Sequence, residues 1–140
     1  MLVEERIAGR LVLNQPAGHV EKGETLVAAV VRETIEETAF TFIPEATIGA
    51  YLWGRGARGP LYLRVAFAGR HTSHDSQRRL DEGIERVLWL SRAELVASTA
   101  SLRSPMVLRA VDDYLTGIRL PLHLFQDLAL DELATRAVVL

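Results

Sequence analysis

Three glutamates are spaced so that one helix would carry them side by side. Glu33, Glu36 and Glu37 follow a glycine-containing turn, and a rotation of about 100° per residue puts them on one arc of a helix. Like charges at this spacing repel, so a helix that only had to fold gains nothing from collecting them. A divalent cation would remove the repulsion. Without a cation, we expect the pKa of at least one of these carboxyl groups to rise.

The donor atoms indicate which cation this would be. Oxygen ligands at this density suit a hard ion that also accepts water and phosphate oxygens, which indicates Mg²⁺ or Mn²⁺. The chain has no cysteine to favour a softer metal. Gly18 and Gly23 would let the backbone approach a bound group closely, and the carbonyl oxygen of Gly18 is a further candidate ligand.

A simpler interpretation is that the three glutamates form a solvated helix face. Arg32 and Glu36 would then be an ordinary i,i+4 ion pair, and an isolated E-x-x-E-E pattern favours that interpretation. The preceding glycine turn, with Glu24 at its edge, instead favours a site. The opposite face carries Val27, Val31 and other apolar residues, so the helix is expected to lie between a core and a cleft.

Strands and helices alternate along the chain, which predicts a mixed α/β fold. Good helix formers without internal glycine or proline predict a helix over residues 23 to about 38. Alternating apolar residues predict a strand over 61–68. Further strands are predicted over 1–6, 11–13, 48–53 and 84–90, with loops at Pro44, 54–60 and 69–83. Ser91 and Glu94 match a capping box that opens a short helix toward Ala97.

The carboxyl-terminal third is predicted to contain two more helices. Ser104 and Pro105 read as an N-cap and a first helical residue, with the helix ending at 116–117. A short helix near 124–134 follows.

Composition bounds the class of protein. The chain has 140 residues and a net charge of −2, which predicts a single domain spanning 1–140 and argues against a general nucleic-acid surface. No apolar run approaches the roughly 20 residues of a membrane span. Charges at Glu4, Glu5 and Arg6 argue against a signal peptide. The lack of cysteine fits a reducing compartment, and we expect a cytoplasmic protein.

The turn and helix together resemble the Nudix box, G-x5-E-x7-R-E-U-x-E-E-x-G-U, in which U is apolar. The positions that match are Gly18, Glu24, Arg32, Glu33, Glu36, Glu37 and Phe40. Segments 14–19, 63–64, 88–89 and 102–105 resemble the bacterial NudJ-type branch of that family, so that the resemblance extends over residues 2 to about 122. It implies a Nudix fold, in which a mixed β-sheet lies between helices.

The resemblance also implies an activity and its partners. The activity is Mg²⁺-dependent hydrolysis of a phosphoanhydride bond in nucleoside tri- or diphosphates, or in thiamine-type pyrophosphates. The expected partner is a small-molecule diphosphate, bound by a monomer or homodimer. A non-catalytic ligand sensor of the same fold is the alternative. An interaction module whose acidic helix is only a surface would be a third class.

Residue roles follow from the same resemblance. It implies that Glu36 and Glu37 are the main metal ligands, beside the Gly18 carbonyl. Glu33 would be a ligand or the general base that takes a proton from water. Arg32 would orient the glutamates, and Glu24 would pair with Arg32 and brace the turn.

The chain departs from the family pattern in three places. Thr34 stands where an apolar residue is usual, and Ala39 stands where a glycine ends the helix. A left-handed conformation at Ala39 would cost about 1 kcal/mol, and the helix end is expected to be reshaped. Relatives carry another strand before residues 2–5, which leads us to expect that the true start lies upstream.

Several other residues are candidates with a simpler explanation beside each. Glu82 or Glu85 would be a further metal ligand or part of a solvated loop. Arg64 would bind a phosphate or pair with an acid. An aromatic wall for a substrate ring, or hairpin packing, would use Tyr51, Trp53 and Tyr62. His19 would reach a substrate or do nothing specific, and the His71, His74 and Asp75 group resembles a metal site less than a polar loop.

Overall fold

The computed structural model describes residues 1–54 and 59–126. Its strands and helices interleave, as the sequence predicts. The strands are β1 (Leu2–Ile7), β2 (Arg10–Asn14), β3 (Phe40–Gly54), β4 (Leu61–His74) and β5 (Ile84–Leu88). The helices are α1 (Leu26–Thr38), α2 (Arg92–Ala97) and α3 (Met106–Leu115), with 3₁₀ turns at Thr99–Ser101 and Leu122–Leu124.

The strands form two antiparallel groups that flank the acidic helix. One group has the order β2-β1-β5, and the other is the long β3–β4 hairpin. A parallel bridge between Leu13 and Leu102 connects β2 to the segment before α3. Helix α1 leads directly into β3, which therefore begins beside the acidic residues.

Helix α1 has defined caps at both ends. The Thr25 hydroxyl accepts a hydrogen bond from the backbone N–H of Ala28 at 3.0 Å, as an N-cap should. The helix therefore begins at Leu26, slightly later than predicted. Ala39 ends it in a left-handed conformation (φ 58°), and its N–H donates to the carbonyl of Ile35. The helix end thus keeps the left-handed geometry usual for glycine.

The predicted loops at Pro44 and over 69–74 are wrong, because both segments belong to the hairpin. Pro44 lies opposite Gly69, next to a register shift between Pro44 and Ala46. A proline lacks the N–H that a regular ladder needs, and a bulge tolerates this. A side chain at Gly69 would collide with the carbonyl oxygen of Ile43, so a glycine is required there. Residues 75–83 remain outside the strands.

The carboxyl-terminal helices follow the sequence signals in part. The capping box between Ser91 and Glu94 is confirmed. The predicted side-chain cap at Ser104 is wrong: Pro105 is the capping residue, and no side chain caps α3. Strand β5 ends at Leu88, two residues before the predicted end. The helix predicted near 124–134 lies mostly outside the described residues, as does most of the predicted 54–60 turn.

Leu2, Leu95 and Val107 form a buried cluster that joins β1, α2 and α3. It fixes the segment before α3 against the first sheet, and this positions Arg103. Among the described residues, no helix is long and apolar enough to cross a membrane.

The β1–β2 turn provides a test of the hairpin geometry. Ala8 and Gly9 both have positive φ, 48° and 78°, as a two-residue type I′ turn requires, and asparagine is favoured at the first position. We expect Ala8→Asn to raise the free energy of unfolding by about 0.5–1 kcal/mol, measured by urea denaturation. Ala8→Val should lower it, because a β-branched residue resists positive φ. A valine variant as stable as the asparagine variant would contradict this geometry.

Candidate functional site

Arg32 lies at the centre of the acidic group and uses all of its N–H donors. Nε and NH2 bind the two oxygens of Glu24 at 2.8 and 2.9 Å. NH1 binds Glu33 Oε1 at 2.8 Å and Glu36 Oε2 at 2.9 Å. NH2 also donates to the His19 carbonyl at 3.0 Å. A guanidinium has five N–H groups, so Arg32 has no donor left and its position is fixed.

The glycine turn is attached to the helix through Glu24. The Glu24 carboxylate accepts from the Glu21 N–H at 3.0 Å, and the Glu24 N–H donates to the Glu21 carbonyl at 3.1 Å. The hydrogen bonds from Arg32 hold the pKa of Glu24 below its ordinary value. Because both Glu24 oxygens are occupied, this residue serves to position the turn.

The other three carboxylates each have one oxygen that accepts no hydrogen bond from the described residues. Glu33 is held through Oε1 and Glu36 through Oε2, both by Arg32. Glu37 is held through Oε2 by the Ala17 N–H at 2.9 Å. Within residues 1–54 and 59–126, no hydrogen bond engages the second oxygen of any of them. The residues predicted as ligands thus differ from Glu24, whose carboxylate oxygens are both hydrogen-bonded.

Glu33 lies directly over Gly18. A Cβ built on Gly18 would overlap the Glu33 carboxylate, so only glycine leaves room for this carboxylate to lie over the turn. Gly18, whose carbonyl is a candidate ligand, is therefore adjacent to Glu33.

Glu37 faces a second acidic group that the sequence does not reveal. Its pKa is raised to about 7, chiefly by burial and in addition by the charges of Glu5, Glu33 and Asp81, whereas the hydrogen bond from the Ala17 N–H lowers it. The expected rise in one carboxyl pKa is present, although burial is its larger cause. Asp81 is fixed near the helix by its N–H, which donates to the Glu36 carbonyl at 3.1 Å.

The predicted ligands Glu82 and Glu85 do not join this group. Glu82 is exposed, and Glu85 pairs with Arg6 at 2.7 Å. Asp81 immediately precedes Glu82 in the sequence, so the prediction missed the acidic residue near Glu37 by one position. Glu5 comes from β1, 21 residues before the start of α1 at Leu26, and only the fold brings it near.

The donor set fits a hard divalent cation. Within the part of the chain that the structure describes, no group of three His, Cys, Asp or Glu side chains forms a ready-made coordination cluster. The atoms without a hydrogen bond on Glu33, Glu36 and Glu37 are nevertheless all carboxylate oxygens, and the pKa of Glu37 is raised by burial first and by neighbouring carboxylates as well. Mg²⁺ keeps several waters and needs few protein ligands, which such an arrangement satisfies.

The predicted aromatic wall divides into two parts. Trp53 and Tyr62 stack with ring centroids 6.2 Å apart. Tyr51 instead donates its hydroxyl to Asp113 of α3 at 2.9 Å. Cross-strand register pairs Tyr51 with Arg64 and Trp53 with Tyr62, so all four side chains lie on one face of the hairpin.

The histidines lie away from the carboxylates. His71 and His74 belong to β4 and contact the Phe40 ring, at centroid distances of 5.4 and 4.3 Å. The predicted polar loop is wrong for both. His19 has an exposed side chain and contributes its carbonyl to Arg32.

Comparison with known proteins identifies this arrangement. The model of the NUDIX domain matches residues 2–110. The chain belongs to the Nudix family. It is 37% identical over 127 residues to Phosphatase NudJ of Escherichia coli strain K12 and of Shigella flexneri, covering 91% of this chain and 82% of each relative. The chain is accordingly a hydrolase, and Nudix hydrolases generally use divalent metals.

Solved structures agree with the family. The fold is similar to that of a Nudix hydrolase from Nitrosomonas europaea, with a TM-score of 0.86 and 44% identity, covering 89% of this chain and 85% of that one. It also resembles the MutT protein of Methanosarcina mazei Go1, with a TM-score of 0.64, 20% identity and coverage of 84% and 85%. The second likeness supports the Nudix fold alone.

The close approach of Gly18 and Glu33 predicts a sharp effect of one methyl group. Gly18→Ala should displace the Glu33 carboxylate and lower turnover on the best substrate by about 10²-fold, with little change in the unfolding midpoint. Gly9→Ala is the converse control: its φ of +78° makes it strained, and nothing lies within 4 Å of the added carbon. It should lower stability without lowering turnover. Full activity in Gly18→Ala would contradict the geometry.

The raised pKa of Glu37 predicts a pH-dependent stability. Its folded value of about 7 exceeds the ordinary 4.5, so the native state binds more protons than the unfolded state between these pH values. The free energy of unfolding should therefore fall as the pH rises through that window. In metal-free buffer, Glu37→Gln should be about 1–2 kcal/mol more stable than wild type at pH 8, allowing for partial exposure.

This difference should disappear well below pH 4.5, where the wild-type carboxyl is protonated in both the folded and the unfolded state. Urea denaturation in the presence of a chelator, repeated across the pH range, measures it. Glu21→Gln, at an exposed position in the turn, should follow wild type throughout. A pH-independent offset for Glu37→Gln would count against the raised pKa.

Proposed function

We propose that this chain hydrolyses a phosphoanhydride bond in nucleoside tri- or diphosphates, or in thiamine-type pyrophosphates, with Mg²⁺ as its cofactor and Mn²⁺ as a substitute. The observation that carries this proposal is the division of the acidic residues around Arg32. Both oxygens of Glu24 are bound, whereas Glu33, Glu36 and Glu37 each keep one oxygen open. The name of the NudJ relatives, a phosphatase, supports the same reaction class.

The carboxylates of Glu36 and Glu37, with Glu33 and the Gly18 carbonyl beside them, are the groups that would hold the cation. When bound, Mg²⁺ supplies the positive charge that the phosphate oxygens and the developing negative charge require. Cation binding would require little movement of the protein, because Arg32 and the Ala17 N–H already hold one oxygen of each carboxylate.

Glu33, a ligand or the general base by the family resemblance, would act as the general base in this reaction. Its Oε1 is held by Arg32, and its Oε2 is the atom that would accept a proton from the attacking water. The water oxygen then bonds to phosphorus, the bond from phosphorus to the bridging oxygen breaks, and orthophosphate or a monophosphate leaves. The hydrogen bond from Arg32 would hold the Glu33 carboxylate in position during the proton transfer.

The stacked Trp53 and Tyr62 rings supply a surface for the ring of such a substrate. Tyr62 is 44% exposed, so its ring is accessible to a substrate ring. We propose a small-molecule diphosphate as the partner, bound by a monomer or homodimer, and neither a nucleic acid polymer nor a membrane.

A substrate panel with matched variants tests the reaction. Purified protein should release phosphate from at least one nucleoside di- or triphosphate or thiamine pyrophosphate when Mg²⁺ is present, and not in chelator. Glu33→Gln should lower the turnover by about 10²–10⁴-fold. Glu45→Gln, which removes an exposed ion pair with Arg70, should leave it unchanged.

Metal binding can be read without turnover. Mg²⁺ should raise the thermal midpoint of wild type and of Glu45→Gln, and should raise that of Glu36→Gln much less. Equal stabilisation of all three would contradict the assignment of Glu36. Tight Mg²⁺-dependent binding of a diphosphate without any hydrolysis would instead support the non-catalytic sensor.

A further inference from the structure

One short segment gathers two guanidinium groups beside the acidic helix. The Leu13 carbonyl accepts from the Arg103 N–H at 2.9 Å. The next two side chains hold Arg64: its NH2 donates to Asn14 Oδ1 at 2.7 Å, and its NH1 donates to Gln15 Oε1 at 3.1 Å. Ala17 then binds Glu37. Residues 13–17 therefore connect both arginines to Glu37, the last of the three carboxylates on α1.

Arg64 is a partly buried cation held by neutral groups. Both of its hydrogen-bond partners are side-chain amides, and it forms no ion pair with any carboxylate of the described residues. The Gln15 amide is itself oriented, because its Nε2 donates to the Val107 carbonyl at 2.8 Å. Of the two alternatives for Arg64, an ion pair with an acid is not found among the described residues, and the contact with a phosphate stays a prediction. A guanidinium fixed by amides keeps its charge available to an anion.

Arg103 is only partly neutralised. Its NH1 donates to both oxygens of Glu5, at 2.7 and 2.6 Å, while its side chain remains 46% exposed. Nε and NH2 have no partner among the described side chains. Burial and the charge of Arg103 lower the pKa of Arg64, whereas the charges of Glu5 and Glu37 raise it. The two guanidinium groups repel each other, and Glu5 is hydrogen-bonded to Arg103 and not to Arg64, so an anion that reaches both would relieve the repulsion.

We propose that Arg64 and Arg103 together bind the diphosphate of the substrate, next to Glu37. This rests on the proposed phosphoanhydride hydrolysis and adds the groups that recognise the anion. The planar fork of a guanidinium matches two phosphate oxygens, and two forks side by side suit a diphosphate better than a single phosphate.

The hairpin gives this binding a direction. Arg64 and Tyr62 share a face of β4 and are two residues apart, or about 7 Å along the strand. The Trp53–Tyr62 pair therefore lies about 7 Å from Arg64 along the strand, toward the tip of the hairpin and away from α1. A substrate would lie along the hairpin with its ring toward the tip and its phosphates toward the carboxylates.

A simpler explanation is that Arg64 only satisfies the amides of Asn14 and Gln15. The two explanations predict different affinities of the protein for a diphosphate, as well as different activities. Methylenediphosphonate, which has a carbon in place of the bridging oxygen and is not hydrolysed, is a suitable probe. Its affinity can be measured by titration calorimetry in the presence of Mg²⁺.

The variants are Arg64→Gln, Arg64→Lys, Arg103→Gln and Arg70→Gln. We expect Arg64→Gln and Arg103→Gln each to weaken diphosphonate binding by about 10- to 100-fold and to raise KM by a similar factor, with a smaller effect on kcat. Arg64→Lys, which keeps the charge without the fork, should lose less. Arg70→Gln is the matched control, because Arg70 lies on the same strand and pairs with the exposed Glu45; it should bind as wild type does.

Unchanged diphosphonate affinity in folded Arg64→Gln and Arg103→Gln would overturn the proposal, even if the wild type proves to be an active hydrolase. If Arg64→Gln fails to fold, Arg103→Gln and Arg64→Lys decide in the same way. Conversely, if wild type turns over no diphosphate but binds the diphosphonate through both arginines, the binding pair stands and the proposed reaction fails.

Discussion

The hydrogen bonds of Arg32 determine which atoms of the site are open. One guanidinium, with a single positive charge, contacts Glu24, Glu33 and Glu36. It neutralises only part of their charge, so the group stays negative on the side facing the cleft. The same bonds choose which oxygen of each carboxylate faces the protein. The turn, the helix and the donor set all depend on this one residue, because each of its N–H groups has a different acceptor atom.

The segment between β2 and the glycine turn connects this arrangement to the rest of the fold. Asn14 is buried, Gln15 is oriented by α3, and Gly18 lies under Glu33. Residues 14–18 thus contact β4, α3 and α1. The segment therefore contacts both the guanidinium group of Arg64 and the carboxylates of Glu33 and Glu37.

The sequence predicted what depends on local spacing. The helix, its acidic face and the Arg32–Glu24 pair are set by residues within one turn and one helix, so their periodicity and box spacing were sufficient. The predicted loop at Pro44 was wrong because a bulge opposite Gly69, 25 residues later, absorbs the proline, and no local rule shows that pairing. Glu5, Asp81 and Arg103 were missed for the same reason: they reach the site from separate elements. Thr34, which departs from the box, donates its hydroxyl to the Val30 carbonyl at 2.7 Å and is buried without an unsatisfied group.

The end of α1 explains how the family's glycine can be absent. Ala39 holds a left-handed φ, which costs about 1 kcal/mol relative to glycine. Its methyl group is buried, with only 5% of the residue exposed, and burial of one such group contributes about 0.8 kcal/mol. Alanine also leaves the unfolded chain fewer conformations to lose, by about 0.4–1 kcal/mol. Together these contributions are at least as large as the strain. The position is therefore close to neutral between the two residues, and drift between glycine and alanine here would leave no trace in the stability of the folded chain.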